Sequence, residues 1–270
     1  MKRNILILVF GAILLLLSCS EQQSIARRFV KNNRKTVVAL YLPNRLEKRN
    51  LRNDSIPDYL ADSSLQVQIE HLEKQVKVID KVNDDKILDI IYLTMEKTLK
   101  DYGLTVEYWE DGTSQPDSLH WVIEIPRIEM TEMCELQQFC GWVDYHKYCM
   151  DVPVDVVNVA AWFDLANDTT YTMTFTEQNY FNDIEVDFDI DYQSNRVIAR
   201  TSCDTINIDD FYKFASLLGR LYAGYCYDFM MNKYIDNHEV GTIDTINRYR
   251  YDPYERYFYR TDRDYLIEIK

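Results

Sequence analysis

The feature that most constrains this chain is its first twenty residues. Met1-Lys2-Arg3 is a short basic start, and Ile5 to Leu17 is an apolar run broken only by small residues. A bilayer-spanning helix needs about 20 apolar residues, so this run is too short to cross. It has the length of the apolar region of an export signal. It ends in Leu16-Leu17-Ser18-Cys19 and passes directly into the polar Ser20-Glu21-Gln22-Gln23-Ser24. An ordinary cleaved signal or a short anchor helix would share the run, but not its ending.

The Leu-Leu-Ser-Cys ending resembles the lipobox of bacterial lipoproteins. The resemblance implies cleavage before Cys19, with lipid on the Cys19 sulfur and on the new amino group. Several acyl chains, at about 0.8 kcal/mol per buried CH₂, make such an attachment effectively permanent. The implied location is a bacterial membrane, expected to be the outer one, with the domain facing the periplasm or the exterior.

Residues 1–18 are then the signal peptide. Loss of Lys2 and Arg3 takes the formal charge from −14 to −16. So acidic a body repels nucleic acid and anionic membranes, and the expectation is that the lipid, not the protein surface, holds the membrane. The hydrophobic content of 47% is that of a folded protein. Beside Cys19 stand Cys134, Cys140, Cys149, Cys203 and Cys226. Five thiols cannot all pair within one chain. Cys226 lies in a helical apolar pattern and is expected to be buried and free.

Residues 19–35 read as a basic tether, although Ile25, Phe29 and Val30 could instead begin the fold as a short helical face. Thr36 to Leu42 reads as a buried strand. Residues 65–82 fit strand and helix periods equally. Asn83 caps a helix over about 84–102, stopped by Gly103. Strands are expected at 104–109, 120–132, 152–165, 170–181, 184–190 and 196–201, with Pro126 marking an edge or bulge. Asn207 caps a second helix over about 210–235, whose apolar face includes Phe214, Leu218 and Tyr225. The expected class is α+β: an antiparallel sheet packed by these two helices, within a domain over 36–243. A tyrosine-rich extension, 244–270, lies over it. This order loosely resembles that of auxiliary lipoproteins of envelope transport and assembly.

Motifs for phosphate loops, nucleophile elbows or zinc proteases do not occur, so no catalytic residue and no cofactor is assigned. Cys134, Cys140, His146 and Cys149 could hold zinc, pair as a disulfide within the Cys trio, or stay reduced. The compartment favours the disulfide, and no metal is expected. Asp183, Glu185, Asp187, Asp189 and Asp191 alternate as a solvated strand face. Trp142 and Tyr145 suggest a binding loop between strands. Tyr249, Tyr251, Tyr254 and Tyr257 could form a contact surface, a glycan platform or a last strand. The leading expectation is a non-enzymatic envelope accessory that acts through protein contacts. The alternative is a glycan- or small-ligand-binding lipoprotein that uses the tyrosine-rich surface.

Overall fold

The computed structural model describes residues 22–51, 64, 78–107, 120–181, 184–194, 196–203, 206–238, 248–261 and 265–269. Cys19, the ambiguous stretch 65–77 and Asp183 lie outside the described residues. Among the described residues no helix is long and apolar enough to cross a membrane.

Among the described residues, three helices and a mixed sheet give an α+β fold. The helices are α1 (residues 22–32), α2 (Asp84–Asp101) and α3 (Ile208–His238). The sheet holds β1 (Val37–Tyr41), β2 (Glu47–Asn50), β3 (Thr105–Glu107), β4 (His120–Val143), β5 (His146–Ala166), β6 (Tyr171–Phe181) and a short final strand, Ile267–Glu268. β4, β5 and β6 are antiparallel, but β1 and β2 both run parallel to β4, one beyond the other on the same edge. The expected antiparallel sheet is therefore a mixed one, antiparallel over β4, β5 and β6. Pro126 lies where the β4–β5 register shifts, between Glu124 and Arg127, because a residue without an N–H cannot complete the ladder.

Both expected helices form where their caps direct. The Asn83 side chain accepts from the Lys86 N–H at 2.9 Å, and that of Asn207 accepts from the Asp209 N–H at 2.9 Å. Helix α2 ends in a Schellman turn. Gly103 sits at φ +90°, Leu104 N–H bonds the Leu99 carbonyl at 3.1 Å, and Gly103 N–H bonds that of Lys100 at 2.9 Å. Helix α3 meets the sheet edge-to-face through Tyr222 on Phe163, with ring centroids 5.2 Å apart, and through Phe229 on Trp121 at 6.2 Å. Leu218 is core rather than interface, and Cys226 is buried and free as expected.

The basic tether is a correction. Residues 22–32 are helical, and Ile25, Ala26 and Phe29 are buried in the main core. The following Asn33 donates its side-chain amide to the Tyr102 carbonyl at 2.6 Å and to the Tyr227 hydroxyl at 2.9 Å. The segment is thus part of the fold, held by a buried stripe that its basic composition conceals.

Among the described residues two further hairpins stand apart from this sheet. β7 (Ile184–Asp191) pairs with β8 (Arg196–Cys203), and its acids at 185, 187 and 189 face solvent as expected. β9 (Arg248–Asp252) pairs with β10 (Tyr257–Thr261). A buried carboxylate joins the sheet to the segment before α2: Glu132 accepts from the Val78 and Ile79 N–H groups at 3.0 and 3.1 Å.

The α2–α3 crossing depends on Gly219. A Cβ there would lie 2.7 Å from the Ile91 carbonyl oxygen, a backbone atom that cannot swing aside. Gly219→Ala raises helix propensity by about 1 kcal/mol. Overpacking against a fixed atom costs about 1–3 kcal/mol and outweighs that gain. The variant is therefore expected to melt several degrees lower in thermal denaturation; an unchanged or raised melting temperature would contradict the close crossing.

Candidate functional site

The region expected to be a binding loop is the end of a long hairpin. β4 and β5 stay paired out to Val143 and His146, and Asp144-Tyr145 forms the whole turn. Their φ values of +46° and +66° suit a two-residue turn whose twist matches the strands. Tyrosine seldom takes this conformation, and Tyr145 is 98% exposed. The expected loop is therefore corrected to a rigid arm.

Strand alternation gives the arm two distinct faces. On one, Gly141 lets the Phe188 ring of β7 close in: an added Cβ would lie 2.5 Å from that ring. Val152, Val154 and Val156 are buried on this same face. The other face carries Cys134, Leu136, Gln138, Cys140 and Trp142, all exposed, beyond the point where the helices cover the sheet. Cys140 and Cys149 are register partners on it and form a disulfide. That bond withdraws two of the four side chains considered for zinc, and Cys134 is an exposed free thiol. No group of three or more metal-binding side chains gathers among the described residues.

The tyrosine-rich extension divides by depth. Tyr249 is 3% exposed and belongs to the core, and Tyr251 packs against it, whereas Tyr254 and Tyr257 are exposed. The buried pair is bonded to α3. Asn232 accepts from the Tyr249 N–H at 2.9 Å and donates to its carbonyl at 2.9 Å, as a neighbouring strand would. One turn earlier, Asp228 accepts from the Tyr251 N–H at 3.2 Å. The extension is thus mainly a hairpin packed on a helix, and the four tyrosines do not share one surface. Trp142 lies twenty-one residues along β4 from Trp121, which touches α3. At about 3.3 Å per residue that is about 70 Å of strand, so the arm tip and the tyrosine hairpin do not converge.

Two cavities flank the C-terminal half of α3. One, of about 230 Å³, is bounded by Asp228, Phe229, Arg250 and Tyr265. There the Arg250 guanidinium lies 3.3 Å from the Tyr265 ring centroid, and Tyr265 stacks on Tyr225. The second, of about 440 Å³, is bounded by Phe29, Asn32, Thr36, Trp121, Tyr234 and Asn237 among others. Thr36 and Trp121 are 8% and 6% exposed. The Thr36 hydroxyl and the Trp121 indole N–H have no hydrogen-bond partner among the described residues. Sequence reasoning missed this cavity, because its walls come from α1 and the turn after it, β4, the β5–β6 turn and α3 and form no local motif.

No protein-family model matches this sequence, and no curated protein matches it.

Burial raises the Asp228 carboxyl to about 7, against the opposing pull of the Tyr251 N–H and the Arg250 charge. A carboxyl so raised binds its proton more tightly folded than unfolded. Its contribution to stability is complete below the ordinary aspartate value near 4 and is lost as pH rises through 7. The difference corresponds to at most about 4 kcal/mol, lessened by solvent at the cavity. Asp228→Asn keeps an acceptor for Tyr251 and removes the titration. The melting temperature of the wild type is expected to fall relative to that of the variant between pH 4 and pH 7. Parallel profiles would refute the assignment.

Proposed function

We propose that this chain is a lipid-anchored envelope protein that acts through protein contacts made by the β4–β5 arm. Its anchor is Cys19, supported by the Leu16-Leu17-Ser18-Cys19 sequence. In this reading the sheet and its two long helices form a rigid body that presents the arm. The observation that carries the contact role is the open arm face. Leu136 and Trp142 are both exposed on it, six residues apart along β4, and Tyr145 caps it in a conformation that costs about 1–3 kcal/mol. Aromatic side chains held on a stiff, crosslinked strand lose little entropy on binding, which suits them as anchors of a partner surface. Nucleic acid is disfavoured by the net charge of −14. No chemical step is assigned.

The anchor and the contact role have separate tests. Cys19→Ala is expected to leave the protein without lipid label; unchanged labelling would remove the anchor. A photo-crosslinking residue at position 142 or 145 is expected to capture an envelope protein, while the same residue at the equally exposed Tyr254 position does not. Capture from 254 alone would move the contact surface to the tyrosine hairpin.

A second reading, binding of a glycan or other small polar ligand, is supported by the 440 Å³ cavity rather than by the exposed tyrosines. Its size is within the range of ligand sites, about 300–1,000 Å³. Its aromatic walls and the free Trp121 and Thr36 hydrogen-bonding groups suit a ligand with hydroxyls on an apolar frame.

A further inference from the structure

Helix α1 has two opposed stripes. Gln22, Ile25, Ala26, Phe29 and Asn33 are buried, while Arg27, Arg28, Lys31, Arg34 and Lys35 are exposed. Steps of three, four and seven residues place these five cations along one side of the helix and of the short 3-10 turn that continues it, Asn33–Lys35. Among the described residues none of the five forms an ion pair. Between Gln22 and Leu46 the sequence contains no Asp or Glu, although the chain has 44 acids against 30 Lys and Arg. The molecule is thus strongly acidic overall, yet five cations without an ion pair among the described residues gather on one face of one helix.

The place of that face matters as much as its sign. Cys19 is three residues before Gln22, at most about 10 Å of chain. Ile25, fully buried, is six residues from Cys19, or at most about 21 Å. A body joined so closely to the anchor has no slack with which to stand away from it.

We infer that the basic stripe of α1 is a membrane-contact face that lies on anionic phospholipid headgroups. The inference rests on the anchoring at Cys19 proposed above. It revises the expectation that lipid alone holds the membrane: net charge governs long-range repulsion, but headgroups meet only the face presented to them within about 10 Å. Each Lys or Arg at an anionic surface favours contact about fivefold. With acyl chains already fixing the protein to the bilayer, the role of the stripe is orientation. It lays α1 along the surface and so fixes the direction in which the rest of the body faces.

The test uses the full lipidated protein in vesicles. A fluorophore is placed at Asn32, an exposed neutral residue beside the stripe, as Asn32→Cys in a background with Cys134→Ser and Cys203→Ser. Quenching by nitroxides on the lipid headgroups then reports how near α1 lies to the surface. On vesicles of phosphatidylcholine with phosphatidylglycerol, quenching is expected to be strong. It is expected to drop to the level of pure phosphatidylcholine vesicles at about 1 M salt, where screening acts within about 3 Å. The same loss is expected when Arg27, Arg28, Lys31, Arg34 and Lys35 are all changed to Gln. Should that variant fold poorly, Lys31→Glu with Arg34→Glu serves instead, with circular dichroism as the check. Quenching that ignores lipid charge, salt and the substitutions would overturn the inference. Mass spectrometry of the N-terminal peptide separates the two claims. An unmodified Cys19 defeats the anchoring, and the stripe is then judged by salt-sensitive flotation with anionic vesicles, whose absence would defeat it too.

Discussion

Strand β4 pairs with β5 from Val122 to Val143, interrupted only at the bulge after Glu124, and with β1 and then β2 on its other side. A slip of one residue would turn Trp121, Ile123 and Ile125 away from the helices and expose them. The bulge at Pro126 advances the alternation once, so that Ile128 and Met130 face the same core as Ile125. Past Glu132 the same face continues with exposed side chains. One strand thus carries both the buried core and the exposed arm, and the arm inherits its stiffness from the sheet.

Charge on this sheet is managed by pairing rather than avoided. The carboxyl of Glu129 is pushed up by burial, but the Arg49 hydrogen bond and the Arg127 charge hold it below the usual carboxylate range. Arg127 also bonds Glu47 at 2.8 Å and lies over the Trp162 ring at 4.5 Å. Glu132, deeper still, is met by two backbone N–H groups. Buried carboxylates without such partners would each cost several kcal/mol.

The helices were legible because their ends are written locally, in Asn83, Asn207 and Gly103. The parallel pairing of β1 with β4 was not, since some eighty residues separate the two strands and no local pattern records which edge a strand joins. The distal half of β4 was read short, because Glu135, Gln137 and Gln138 look like a loop when both faces are assumed to need apolar cover. In α1 the composition masked the period: five cations suggested a tether, although Ile25, Phe29 and Asn33 recur every fourth residue. In the tyrosine hairpin the residue type was informative, but depth was not. Asn232 and Asp228 decide which tyrosines are buried, and neither is near them in sequence.

The contacts that hold α1 reach far along the chain. Asn33 bonds Tyr227 across 194 residues, and Gln22 accepts from the Tyr249 hydroxyl across 227. Contacts of such separation carry a high loop-closure entropy and slow folding. This helix, made early in synthesis, therefore cannot complete its packing until nearly the whole chain has been delivered. Until then its apolar stripe waits uncovered, open to contacts with other incompletely folded chains.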